Sequence, residues 1–236
     1  MKNRLIWMIP LMAAVVLAAA LLMVIGGYYR ADETARAALV PDGTVDVSRT
    51  DYGWFFDGPS TTDALVFYPG GMVEETAYAP LLHLLAREGM DVCLVSMPVH
   101  LAVFGANRAL AVTARYRYDH WYVGGHSLGG AMAAAYAAGH GERLTGLILL
   151  AAYPTRTLGS SLLTISVTGT EDGVLDRAKA EAGKTFVTGD LREYTLSGGN
   201  HAQFGNYGDQ RGDGAAAISR DEQQRLTVDH IIRNKR

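Results

Sequence analysis

From Val45 onward the chain alternates short runs rich in β-branched and aromatic residues with stretches of helical periodicity, and this constrains its fold more than any other feature. Such alternation marks an α/β architecture: a mostly parallel sheet flanked by helices. Strands are expected near 45–48, 53–56, 64–68, 92–96, 121–124, 146–151, 163–168 and 193–196. Helices are expected over 78–87, 107–115, 128–138, 174–182 and 220–233, the last opened by a capping box of Ser219 and Glu222.

The 236 residues have room for one medium domain and a small extra segment, not for two catalytic domains. With 49% hydrophobic and 19% charged residues and a formal net charge of −3, neither a disordered chain nor a basic nucleic-acid-binding surface is expected. One cysteine, Cys93, excludes an intramolecular disulfide and a cysteine-built zinc site. It reads as a small hydrophobe in a buried strand.

The apolar residues are unevenly spread. Leu5 to Gly27 contains no charged residue, and as a helix its Leu5–Ile25 part would span about 30 Å, the thickness of a bilayer core. Residues 1–30 are therefore expected to form a single transmembrane anchor, with Lys2 and Arg4 on the cytoplasmic side and the rest of the chain outside. A cleaved signal peptide is the rival reading, but the apolar run is long for one and lacks a small-x-small site at its end. Residues 31–43, polar and alanine-rich and ending in Pro41-Asp42-Gly43, read as a stalk leading to a domain over 44–236.

The chemistry is concentrated in three loops. Gly125-His126-Ser127-Leu128-Gly129 fits G-x-S-x-G between an apolar strand and a helix rich in small residues, the setting of a nucleophile elbow. A sharp strand-to-helix turn projects the Ser127 hydroxyl above the sheet edge and brings unpaired helix N–H groups beside it. Serine needs a base, and the base needs an acid to hold its tautomer. Asp172 lies in the turn after the 163–168 strand and His201 in the glycine-rich loop after the last strand, so both reach the carboxyl edge where ligands bind in such sheets. Glu171 and Asp176 are close enough in sequence to Asp172 to be alternatives. His126 reads as a packing residue, Arg211-Gly-Asp213 as a turn, and Glu74 and Glu75 as the acidic start of a helix.

The order Ser127, Asp172, His201 on strand ends of an alternating α/β domain resembles the α/β-hydrolase superfamily over roughly residues 44–236, and most of all its small, capless, dienelactone-hydrolase-like members. About a dozen residues separate the 146–151 and 163–168 strands, which leaves no room for a cap domain. The resemblance implies an oxyanion hole formed by the N–H of Leu128 and one from Pro69-Gly-Gly-Met72. Met72 is the expected donor and Gly71 its neighbouring alternative. It also implies a serine hydrolase that cleaves an ester, thioester or lactone through an acyl-enzyme, without metal or other cofactor. Phe104, Tyr153 and Phe204 are expected to line the cleft for a small acyl substrate. An acyltransferase of the cell envelope could use the same triad, and a catalytically idle binding domain is the third possibility.

Overall fold

The structure is a computed structural model, and it describes residues 26–59 and 62–236. Eight strands form one sheet: β1 (Asp46–Arg49), β2 (Gly53–Asp57), β3 (Asp63–Tyr68), β4 (Asp91–Val95), β5 (His120–His126), β6 (Gly146–Leu150), β7 (Leu163–Gly169) and β8 (Leu191–Leu196). Their order is β1-β2-β4-β3-β5-β6-β7-β8. β2 pairs antiparallel with β1 and β4, and the other pairs are parallel. The helices are α1 (Glu33–Ala37), α2 (Ala79–Arg87), α3 (Arg108–Thr113), α4 (Leu128–His140), α5 (Arg177–Gly183) and α6 (Arg220–Asn234).

Parallel strands covered on both faces carry unbroken apolar runs, as β3, β4 and β6 do. Alternate residues serve opposite cores. Leu65, Phe67, Ile148, Leu150, Ile165 and Val167 pack beneath α1, α2 and α6, while Val66, Tyr68, Val123, Leu147 and Leu149 pack beneath α3 and α4. Cys93 is buried in β4 on the second of these faces. The Ala151–Leu162 connection from β6 to β7 contains no helix and so no cap.

Two expectations need correction. Residues 31–43 are not a stalk: Ala31 and Ala35 are buried in the first core, Asp32 accepts from the Ala35 N–H to cap α1, and the Asp32 N–H donates to the Asn206 carbonyl. The small alanine side chains that resembled a linker let α1 pack against α2 and the Glu75–Tyr78 turn. Helix α5 begins at Arg177 instead of 174. The Val174 and Leu175 N–H groups are already bound to the Asp172 carboxylate, and Asp176 caps the helix that follows. The expected membrane segment lies almost entirely in residues 1–25, outside the described residues. Among the described residues no helix is long and apolar enough to cross a membrane.

Candidate active site

Strand β5 ends at His126, and α4 begins at Leu128. Between them Ser127 takes φ +53° and ψ −124°, a conformation that is costly for a non-glycine residue. The surroundings hold it there: its N–H donates to the Leu150 carbonyl at 2.9 Å, and its carbonyl accepts from Ala131 at 3.0 Å. The motif glycines answer to a steric demand. A Cβ on Gly125 would lie 2.4 Å from the Tyr68 carbonyl oxygen, and one on Gly129 would lie 2.2 Å from that same atom. The elbow therefore sits directly against the end of β3.

Asp172 follows β7 in a tight loop. Its Oδ1 accepts the N–H groups of Val174 (2.9 Å) and Leu175 (2.8 Å), and its Oδ2 lies 2.9 Å from His201 Nδ1. Burial pushes the carboxyl pKa up. The hydrogen bond and charge of His201, with the two N–H groups, outweigh that and hold it below the usual carboxylate value. The carboxylate thus stays ionised and accepts from Nδ1–H, which leaves Nε2 as the nitrogen free to act as base. His201 Nε2 is buried and has no hydrogen-bond partner. Neither alternative acid touches His201: Glu171 is exposed and accepts from Thr170, while Asp176 caps α5 and pairs with Lys179.

Ser127, Leu128, His201, Tyr153 and Asp176 line one cavity of about 270 Å³. Of the three expected substrate-lining residues only Tyr153 faces it. Phe104 is 65% exposed elsewhere on the surface, and Phe204 is fully buried with its ring 5.6 Å from that of His126. An aromatic in a loop near the catalytic edge fills the core as readily as a cleft, and sequence position cannot tell the two apart.

Across the site, Met72 has φ +57° and its N–H donates to the His100 carbonyl at 2.8 Å. Gly71 backs onto Leu128 so closely that a Cβ there would come within 2.8 Å of Leu128 Cδ2. The Gly70 N–H donates to the Tyr78 hydroxyl (3.0 Å), which lies 2.8 Å from His126 Nδ1. His126 thus links the elbow to the Pro69–Met72 loop. Burial, then the nearby His201 charge, push its pKa well below 6.5, so it stays neutral.

Sequence reasoning missed several supports. The Gln223 amide, fully buried on α6, makes paired hydrogen bonds to the N–H (3.0 Å) and carbonyl (2.8 Å) of Asn200, next to His201. Arg177 braces the acid loop through the carbonyls of Gly169, Thr170 and Asp172. Glu74 is no solvated helix start, since its carboxylate accepts from the Ala31 N–H. The only hint of Gln223 in the sequence was a polar residue on the inward face of the last helix. Among the described residues no three His, Cys, Asp or Glu side chains converge as metal ligands.

The model of the alpha/beta hydrolase family matches residues 64–225, which hold all the loops described above. The chain belongs to the alpha/beta hydrolase family. No curated protein matches it in sequence. Among solved structures it resembles a dienelactone hydrolase from Anabaena variabilis, with a TM-score of 0.57 at 11% identity over 82% of this chain and 100% of the other. It likewise resembles Est1E from Butyrivibrio proteoclasticus, with a TM-score of 0.57 at 13% identity over 81% and 99% of the two chains. A membrane phospholipase A described as a bacterial virulence factor gives a TM-score of 0.55 at 14% identity, covering 99% of this chain and 100% of its own. Likenesses at such identities concern the fold. This family member has its catalytic-type loops on a capless domain.

Proposed function

We propose that this hydrolase cleaves a carboxylic ester, thioester or lactone with Ser127 as nucleophile, His201 as general base and Asp172 as the residue that orients it. One observation carries the reading: the His201 imidazole, with Nδ1 committed to Asp172 and Nε2 unpartnered, shares a cavity with a serine held in a strained turn. His201 Nε2 takes the Ser127 proton as Oγ attacks the carbonyl, and the same imidazolium then protonates the leaving group. Water activated by His201 releases the acyl group. The oxyanion is held by the Leu128 N–H at the start of α4 and by one N–H from the Pro69–Met72 loop. Gly71 suits that second role better than Met72, whose N–H is already donated to His100. The dienelactone hydrolase among the structural neighbours supports a lactone or ester over an amide. The cavity suits a small acyl group.

A fluorophosphonate probe tests the reading. Covalent labelling at Ser127 and hydrolysis within a panel of p-nitrophenyl esters of graded chain length are the expected results, and a folded protein that does neither would refute it. Asp172→Asn should lower kcat by about 10⁴-fold, because an amide at this position favours the wrong imidazole tautomer. The variant also carries a pH signature. A carboxyl held low in the folded state stabilises it above the ordinary Asp value of about 3.9, and that stabilisation is lost as the pH falls through the lower folded-state value. Urea midpoints of wild type and variant should therefore converge in strong acid.

The apolar run preceding Tyr28 is proposed as a membrane anchor, with the catalytic domain outside the cytoplasm. The described residues that follow it are bound to the domain. Tyr29 hydrogen bonds to the Met72 carbonyl (2.8 Å) and the Glu74 N–H (2.9 Å), and Tyr28 stacks on His100 at 4.1 Å. An anchor joined there would hold the Pro69–Met72 loop near the lipid surface. Retention of the full chain in the membrane fraction after carbonate extraction is expected, and release into the supernatant would refute the anchor.

A further inference from the structure

We propose that Asp213 is a positioning residue for the Asp172–His201 pair, an inference that builds on the hydrolase reading above. The aspartate ends the Arg211-Gly-Asp213 tripeptide, which from sequence reads as a turn. In the fold its carboxylate joins the two loops that carry the acid and the base. Oδ1 accepts from the Gly173 N–H at 3.1 Å and from the His201 N–H at 3.2 Å, while Oδ2 accepts from the Ala202 N–H at 2.8 Å. Gly173 is the residue after Asp172, so one carboxylate bonds the backbone beside the acid and the backbone of the base itself.

The loop bearing Asp213 is itself wedged into the site. A Cβ on Gly214 would lie 2.1 Å from the Glu171 carbonyl oxygen, and one on Gly173 would lie 2.6 Å from that of Gly212. The Asn200 side-chain amide donates to the Gly214 carbonyl at 2.8 Å, joining the same loop to the residue before His201. Two stretches of the β8–α6 connection and the loop after β7 thus meet at Asp213. Hydrogen bonds to an ionised carboxylate are roughly twice as strong as neutral ones, and an error of 1 Å between catalytic groups can cost about 100-fold in rate. Asp213 does not itself line the cavity and bonds His201 only through its backbone N–H, so its effect must pass through the relative placement of Asp172 and His201.

Asp213→Ala and Asp213→Asn, compared with wild type on a p-nitrophenyl ester, separate positioning from general stability. Alanine should lower kcat and the fluorophosphonate labelling rate together, by roughly 10- to 100-fold, with KM changed less than threefold. Asparagine keeps an acceptor oxygen for Gly173 and His201 and should recover kcat to within about fivefold of wild type. The His201 Nδ1–H proton resonance should move in Asp213→Ala and return towards its wild-type position in Asp213→Asn. Alanine that matches wild type in kcat and in this resonance, or asparagine as impaired as alanine in both, would overturn the proposal. Should wild type neither hydrolyse esters nor take the probe, the hydrolase reading falls, and the resonance alone still decides whether Asp213 sets the geometry of the pair.

Discussion

Replacing Ser127 with alanine is expected to abolish probe labelling and to lower kcat for ester hydrolysis by on the order of 10⁶-fold, the cost of removing a nucleophile that acts as a unit with its base. The fold should survive, because the Ser127 side chain makes no helix-capping bond and only its backbone groups are tied to Leu150 and Ala131. A second substitution separates chemistry from backbone. At φ +53° and ψ −124° a side chain costs of order 1–3 kcal/mol, a strain that alanine keeps and glycine relieves. Glycine also makes the unfolded chain more flexible, which offsets about 0.4–1 kcal/mol of the gain. Ser127→Gly should therefore be as inactive as Ser127→Ala yet melt higher, by a few degrees for a domain of this size. Calorimetry on the two variants checks this, and a glycine variant that melts no higher than the alanine variant would show that the turn is unstrained.

The largest expected loss of stability lies two residues further on. Gly129→Ala would place a methyl group 2.2 Å from the Tyr68 carbonyl oxygen and 2.3 Å from that of Pro69. Both are backbone atoms, so neither can swing aside, and α4 must move off the sheet. Helix propensity alone favours alanine by about 1 kcal/mol, but forced displacement of a packed helix should outweigh this and leave a net destabilisation of about 3 kcal/mol or more. Gly139 provides the matched control: it lies in the same helix, and a Cβ there would meet nothing within 4 Å. Gly139→Ala should stabilise by about 1 kcal/mol. Opposite signs for the same substitution in one helix, read from urea denaturation, would show that close approach and not propensity governs the elbow. Because Pro69 opens the loop that faces Ser127, Gly129→Ala should also depress the labelling rate in whatever fraction remains folded.

Much of this molecule follows from local patterns. Among the described residues all eight strands and five of the six α-helices lie where alternation and periodicity put them, because parallel strands buried on two faces and helices buried on one carry different apolar spacings. The Ser127, Asp172 and His201 loops were legible for a related reason: each ends a strand at the same edge of the sheet. Helix α1 was not legible, since an alanine-rich stretch looks alike whether it spans solvent or lies against a core. Phe204 and Phe104 illustrate the same limit. One is buried and the other exposed, though each ends a three-residue helical turn. The Met72 N–H is engaged by His100, a residue far enough along the chain that only packing brings them together.

Local spacing already dictated the element order, the elbow at Ser127, the order of Ser127, Asp172 and His201 on successive strand ends and the absence of space for a cap, because each follows from short runs at the ends of strands. Only the tertiary structure decided which acid meets His201, which loop N–H groups are already engaged, and that Gln223 and Asp213 hold the histidine loop. Those contacts join residues 12 to 29 positions apart through one or two hydrogen bonds, and so few bonds leave no periodic trace in a sequence.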